Sequence, residues 1–254
     1  MADPAIGAQL AALGVAPGPP LLVHASLRGT GLDADALRDA LLTALGPEGT
    51  LVAPAFTPAN SSTSQAHLDL IRGMAPDRVR EFRAAMPAFD PAATPSQGMG
   101  RLAESVRTAD GAVRSAHPQT SFAAVGARAA ELLAGHPLTS HLGWDSPLGA
   151  LHRADARVLM INVDFSVCTA FHLAEYHPGA PRRTYSCVVR RPDGGKKWTT
   201  YEDVVLDDRE FDTIGADFPA GLVRMGQLGG GRARLFPIKA AIRHADRWMS
   251  EKRR

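Results

Sequence analysis

Short apolar runs and helically spaced apolar positions follow one another along the first fifty residues. The segment LLVHAS, at 21–26, is a compact apolar run that ends in small polar residues, which predicts a buried strand leading into a turn. The segment ADALRDALLTAL has apolar residues at helical spacing and stops before Gly46 and Pro47, which predicts a helix. GTLVAPAF then predicts a second strand. This order indicates a parallel βαβ unit with a right-handed crossover.

The second half of the chain changes to a different pattern. ARVLMINVDFS, at 156–166, is the most apolar strand candidate and predicts the centre of the sheet. RTYSCVVRRPDGGKKWTTYEDVV alternates around Asp193 and Gly194, which predicts an antiparallel hairpin late in the chain. PIKAAIRHADRWM predicts an amphipathic C-terminal helix. The fold class is therefore α/β, with a mixed sheet that is parallel early and antiparallel late.

Residues 57–97 leave this regular pattern for a polar, proline-containing excursion with one predicted helix near 76–85. A long irregular stretch inside a compact fold is more often a lid or a functional loop than filler. A chain of 254 residues fits one large α/β domain. We therefore expect a single domain over 1–254 with a lid-like excursion at 57–97.

Composition narrows the class of protein. Apolar residues make up 45% and charged residues 21%, as in an ordinary globular protein. The formal net charge is only +2 and the arginines are scattered, so no nucleic-acid surface is expected. Cys168 and Cys187 are too few for a disulfide framework or a zinc motif, which favours a reducing, cytoplasmic location. No apolar run approaches the roughly 20 residues of a membrane span, so no membrane partner is expected.

The segment TAFHLAEY carries the most suggestive chemistry. His172 and Glu175 are three residues apart, so a helix would place them on one face, where the carboxylate could orient the imidazole as a general base. A surface ion pair is the plainer reading of such a pair. Its position after the most apolar strand favours a site, because ligands gather at the carboxyl ends of strands in open α/β sheets. Thr169 could add a hydroxyl there or cap the helix.

Two further segments have polar residues in turns. RSAHPQTSFAAVG contains Arg114, His117, Ser121 and Phe122 around a proline, which is typical of a binding site and equally of a structural histidine. HASLRGTG lies between a predicted strand and helix but matches neither common phosphate-loop motif. Backbone N–H groups at that helix start would still attract an anion.

Six segments together resemble one family. They are LLVHASLRGTG, GTLVAPAFT, FDPAATPSQGMGRLAESVR, GAVRSAHPQTSFAAVG, DSPLGALHRADARVLMINV and TAFHLAEY. In order and spacing they are similar to the antibiotic N-acetyltransferases typified by aminoglycoside 3-N-acetyltransferases, over about 20–248. The resemblance implies a single α/β/α layered domain that transfers an acyl group from coenzyme A, as acetyl-CoA, to a small-molecule amine. A homodimer is left open.

The resemblance also implies roles for individual residues. His172 would be the catalytic base and Glu175 its partner, while the Thr169 hydroxyl or backbone N–H groups would stabilise the oxyanion. Ser26, Leu27 and Arg28 would line the pantetheine and pyrophosphate. The opposite wall of that site would be formed by His117, Ser121 and Phe122. Glu202 and Asp203 on the late hairpin would lie near the acceptor amine.

The acceptor and the class of protein stay open at this point. Aminoglycosides are polycations, whereas the chain is slightly basic, so an amino sugar, an amino acid derivative or a natural-product intermediate is nearly as good an expectation. One alternative is a metal-dependent hydrolase in which His172 and Glu175 are joined by His117 or His141. The other is a non-catalytic relative that binds coenzyme A.

Overall fold

The computed structural model describes residues 4–253, which form nine strands and nine α-helices. The strands are β1 (Leu21–Ala25), β2 (Thr50–Pro54), β3 (Val113–Arg114), β4 (Phe122–Gly126), β5 (Arg157–Ile161), β6 (Arg182–Arg190), β7 (Lys196–Val204), β8 (Arg224–Leu228) and β9 (Gly231–Pro237). The helices are α1 (Pro4–Leu13), α2 (Ala34–Leu45), α3 (Gln65–Leu70), α4 (Pro76–Ala85), α5 (Arg101–Thr108), α6 (Ala129–Leu133), α7 (Pro147–Arg153), α8 (Phe211–Ala216) and α9 (Ile238–Lys252).

Seven of these strands form a mixed sheet in the order β3-β4-β2-β1-β5-β9-β8. Strand β1 pairs in parallel with both β2 and β5, and the outer pairs are antiparallel. The predicted βαβ unit, the mixed sheet and the α/β fold are confirmed. The prediction that residues 156–166 form the centre of the sheet was wrong, because β1 is the middle strand and β5 lies next to it. Both are almost wholly buried, so apolar content alone could not rank them.

Helices cover both faces of the sheet, as the α/β/α layering requires. Alternate residues of β1 separate the two layers, because successive side chains of a strand point to opposite faces. Leu22 packs in the layer that contains α7 and α9, whereas Val23 packs in the layer of α1, α2 and α5. The parallel strands β1, β2 and β5 therefore end together at one edge, between two apolar layers.

The late hairpin is confirmed, but it is a separate two-stranded sheet and not part of the central one. It packs against the excursion at 57–97, where Val188 N–H donates to Asn60 Oδ1 at 3.1 Å and Trp198 Nε1 donates to the Arg83 carbonyl at 3.2 Å. Helix α4 was predicted and α3 was not. Whether the excursion acts as a lid stays a prediction.

No helix within residues 4–253 is both long and apolar enough to cross a membrane.

Candidate active site

The main cavity opens at the edge where β1, β2 and β5 end, and has a volume of about 580 Å³. This is the place where open α/β sheets usually bind ligands. Its lining comes from five segments that are distant in sequence. They are the end of β1 with the turn after it, the end of β2, the loop into α5, the stretch after β5, and the loop into α8. The lining includes Ser26, Leu27, Arg28, Thr169 and His172, so the structure brings these five predicted residues together.

The turn that follows β1 is held by hydrogen bonds that the sequence did not predict. Asn162, directly after β5, has a φ of 51°, a left-handed conformation that asparagine tolerates better than most residues. Its side-chain Nδ2 donates to the Ser26 carbonyl at 3.2 Å and to the Arg28 carbonyl at 3.0 Å. Thr30 Oγ1 donates to the Leu27 carbonyl at 2.9 Å. These contacts fix the backbone of 26–28 at the mouth of the cavity.

The sequence also did not predict a second wall of the main cavity. Gly98, Met99, Gly100 and Arg101 lie against the end of β1. Gly100 has a φ of 86°, and a Cβ there would come within 3.0 Å of the Ala25 carbonyl oxygen, so glycine allows this close approach. Arg101 begins α5, and both it and Arg28 are exposed at the cavity. Two guanidinium groups therefore give this part of the lining a positive charge.

The predicted histidine pair lies in a 3-10 helix, Thr169–Glu175, and not in an α-helix. A 3-10 helix has three residues per turn, so residues three apart lie directly above one another. His172 Nδ1 is 2.8 Å from Glu175 Oε2. A carboxylate can only accept, so Nδ1–H is the donor and the lone pair of the neutral ring lies on Nε2. The N-cap residue is Cys168 and not Thr169, which is the first residue of the helix.

The two members of the pair differ in exposure. The side chain of His172 is 12% exposed and lines the main cavity, whereas that of Glu175 is 4% exposed. The His172 ring packs against Phe211, with 4.6 Å between the ring centroids. The other carboxylate oxygen of Glu175 accepts from Asp207 N–H at 3.0 Å and from Arg253 Nη1 at 2.9 Å. The imidazole is thus oriented from behind and reaches the cavity.

Two further side chains in this region can be assigned a chemical state. Burial lowers the pKa of His24, which lines the cavity from β1, to about 4, so its ring is neutral at ordinary pH. Burial raises the pKa of the Cys168 thiol to about 12. A thiol with so high a pKa is a poor nucleophile, and Cys168 is fully buried in the apolar core.

The structure does not bring His117, Ser121 and Phe122 to the main cavity; all three side chains are fully buried. Ser121 Oγ donates to the Ala55 carbonyl at 2.8 Å, and Phe122 packs behind Phe56, which does line the cavity. His117 Nδ1 accepts from Thr120 N–H at 3.1 Å. These polar atoms hold the turn together and bond it to the segment after β2, so the geometry does not support the predicted coenzyme wall, which stays a prediction.

The two hairpin residues also lie away from the main cavity. Glu202 is exposed, whereas Asp203 is fully buried. Asp203 Oδ2 accepts from His141 Nδ1 at 2.6 Å and from the Tyr176 hydroxyl at 2.8 Å. Burial by itself would raise the pKa of Asp203, but these hydrogen bonds keep it below its usual value. A role in binding the acceptor stays a prediction, which this geometry does not support.

His117, His136 and His141 form what we call the buried histidine cluster. The His117 ring centroid is 4.7 Å from that of His136 and 4.5 Å from that of His141. Neither His117 nor His141 lies beside His172, so neither is placed as a third ligand. Among residues 4–253, no group of three His, Cys, Asp or Glu side chains could hold a metal ion. The geometry therefore does not support the metal-dependent hydrolase.

Comparison with known proteins gives a consistent picture. The family model described as aminoglycoside 3-N-acetyltransferase matches residues 22–250. The prophage-derived aminoglycoside N(3')-acetyltransferase-like protein YokD of Bacillus subtilis is 33% identical in sequence over 95% of this chain and 89% of its own length. A crystal structure of YokD superimposes on this structure with a TM-score of 0.91, at 31% identity, over 98% of this chain and 93% of that one. Aminoglycoside N(3)-acetyltransferase III of Pseudomonas aeruginosa is 34% identical over 95% of this chain and 90% of its own. A structure described as AAC-IIIb binary with CoASH has a TM-score of 0.84, at 30% identity over 98% of this chain and 96% of that one.

Proposed function

The chain belongs to the aminoglycoside 3-N-acetyltransferase family, and from this premise we propose that it transfers an acetyl group from acetyl-CoA to an amino group of an aminoglycoside or a related amino sugar. The observation that carries the proposal is the position of His172. Its ring lines a 580 Å³ cavity at the carboxyl ends of the parallel strands and is oriented by a buried carboxylate. The structure described with CoASH supports coenzyme A as the second ligand.

The lining residues fit coenzyme A. Arg28 and Arg101 offer guanidinium groups to phosphate oxygens, and Asn162 fixes the backbone of the turn that carries Arg28. Met99, Val163 and Val167 supply apolar surface along which a pantetheine chain can lie. The cavity is of the size that commonly holds small ligands and cofactors. The thioester would therefore lie at the His172 end.

The residues of this site can perform the transfer without a covalent enzyme intermediate. An ammonium ion cannot attack a thioester, so His172 Nε2 removes the proton from the acceptor amine. The nitrogen lone pair then forms a bond to the acyl carbon, while the Thr169 hydroxyl donates to the developing oxyanion. The carbon–sulfur bond breaks, the thiolate takes the proton from Nε2 to leave as coenzyme A, and the nitrogen releases its second proton to water as the neutral amide forms. Glu175 stabilises the imidazolium that exists between these steps.

Asp208 supplies a reason to expect a cationic acceptor. It is an exposed carboxylate on the cavity lining, in the loop that leads into α8, which begins at Phe211. The Phe211 ring packs on His172, so an ammonium group held by Asp208 would lie on the His172 side of the cavity. An amino sugar with several amines could use one to bind there and another to react.

The test measures free thiol release from acetyl-CoA with a panel of aminoglycosides, simple amino sugars and amino acids. We expect release that depends on both the protein and an aminoglycoside or amino sugar, with the acetylated amine confirmed by mass spectrometry. Turnover only with amino acids would overturn the proposed acceptor class.

Coenzyme binding is measured in parallel by calorimetry. Binding of coenzyme A without thiol release from any acceptor would favour the non-catalytic relative. A failure to bind coenzyme A at all would remove the basis of the proposed reaction.

A further inference from the structure

Glu175 is held by more than the histidine. It is a buried carboxylate, and a buried charge is costly unless a partner of opposite charge and enough hydrogen bonds compensate it. Its partner of opposite charge is Arg253, which follows the last residue of α9, nearly eighty residues further along the chain. The guanidinium lies on the carboxylate oxygen that His172 does not use.

Arg253 uses all three of its nitrogens at this place. Besides Nη1 on Glu175, Nε donates to Glu210 Oε2 at 2.6 Å and Nη2 donates to the Asp207 carbonyl at 2.7 Å. Asp207 and Glu210 belong to the loop that leads into α8, and the same loop contributes Asp208 to the cavity. One guanidinium fork therefore connects the 3-10 helix, α9 and this loop.

We propose that Arg253 is a positioning residue that sets both the orientation and the basicity of the catalytic imidazole through Glu175. The inference rests on the proposed function of His172. The positive charge of Arg253 offsets part of the negative charge that Glu175 presents to the ring. A carboxylate without this compensation stabilises an adjacent imidazolium more strongly, so Arg253 limits the stabilisation that Glu175 gives to the protonated ring.

Other charged and titratable groups also surround His172, Glu175 and Arg253. Facing the pair or Arg253 are Asp207, Asp208, Arg209 and Glu210 from the loop before α8, Asp246 from α9, His177 after the 3-10 helix, and His24, Arg28 and Arg101 from the remaining cavity lining. A bidentate contact between Arg209 and Asp207 helps to hold the pKa of Asp207 at about 2, so this loop keeps a fixed charge across the neutral range. Arg253 is the cation that bonds directly to Glu175.

The sign of the expected effect follows from this charge balance. Arg253→Met removes one positive charge beside Glu175, so the imidazolium becomes more favourable. The acid limb of the kcat/KM profile should then move to higher pH by about one unit. At a pH on that limb the variant would be roughly tenfold slower than the parent protein, and above the limb the two would converge. Arg253→Lys keeps the charge and should keep the limb near its original position.

The experiment records kcat/KM against pH for the parent protein, Arg253→Met, Arg253→Lys and the control Arg209→Met. Arg209 lies in the same loop and its side chain is 84% exposed, so its removal is screened by water and should leave the profile in place. In parallel, NMR follows the titration midpoint of the His172 ring, which does not depend on turnover. The expected result is a higher midpoint in Arg253→Met alone.

Two results would overturn the proposal. In the first, Arg253→Met lowers thermal stability or activity equally at every pH and leaves the NMR midpoint unchanged, which means a structural role only. In the second, Arg253→Lys shifts the profile as far as Arg253→Met, which means that the charge is not the cause. If the parent protein releases no thiol from any acceptor, the proposed function fails, and the NMR midpoint still decides whether Arg253 acts on His172.

Discussion

Two histidine–carboxylate pairs in this protein have hydrogen bonds of similar length and differ in their exposure. His172 and Glu175 are joined at 2.8 Å, and His141 and Asp203 at 2.6 Å. The first histidine lines a cavity, whereas both members of the second pair have no exposed surface. His141 Nε2 faces Gln119 Oε1 at 3.1 Å, so protein groups occupy both of its ring nitrogens.

The difference shows that a hydrogen-bonded imidazole becomes a candidate base only where a substrate can reach it. The buried histidine cluster has the composition of an active site, but His117 and His141 have no exposed surface and His136 is only partly exposed. Burial lowers the pKa of His136 to about 4, and burial with the neighbouring His141 and His136 rings lowers that of His117 well below its usual value. The neutral His117 and His136 rings, packed on each other in this way, fit a structural role for the cluster beneath the hairpin.

The largest effect on activity is expected at His172, which lines the main cavity. His172→Gln removes the proton acceptor and should lower kcat/KM by about 10²–10⁴-fold, while coenzyme A still binds. Steady-state thiol release and calorimetry on the same preparation separate the two quantities. His177→Gln, at an exposed histidine five residues on, is the matched control and should retain full activity. Loss of coenzyme binding together with activity in His172→Gln would make this histidine a structural residue.

A substitution in the buried pair of His141 and Asp203 should lower the stability of the protein and leave its catalytic activity unchanged. Asp203→Ala leaves the buried donors of His141 and the Tyr176 hydroxyl without their shared acceptor, and each unsatisfied buried donor costs about 1–3 kcal/mol of unfolding free energy. Urea unfolding measures the loss, and the KM for the acceptor should be unchanged in the folded fraction. Glu202→Gln, at the exposed neighbour, serves as the control. A raised acceptor KM with normal stability would restore Asp203 as a substrate-binding residue.

Local pattern predicted the parts of this fold that depend on local forces. Helix α2 has apolar residues at helical spacing between an Asp33 cap and Gly46, and it forms where predicted. The short or exposed strands β3 and β8 were not predicted, because they are held at the sheet edges by pairing with partners elsewhere in the chain. Their own residues show little of the apolar pattern that marks β1 and β5.

The candidate site likewise has one part that the local sequence could identify and another part that it could not. The contact between His172 and Glu175 and the turn at 26–28 lie within single segments, so sequence could identify them. Asn162 and Arg253 act on those segments from far along the chain, and no local spacing signals such contacts. His117, Ser121 and Phe122 belong to a turn whose polar residues resemble a binding site, but the structure buries all three side chains and bonds His117 and Ser121 to other protein groups. Their contact with coenzyme A stays a prediction, which this geometry does not support.

The most direct test of the account is a crystal structure of the protein with coenzyme A. We predict that the phosphates lie beside Arg28 and Arg101 and that the thiol lies against the His172 ring in the main cavity. A coenzyme whose thiol lies instead near Trp144 and Tyr176, in the separate cavity of about 470 Å³ that Asp203 also lines, would contradict the account.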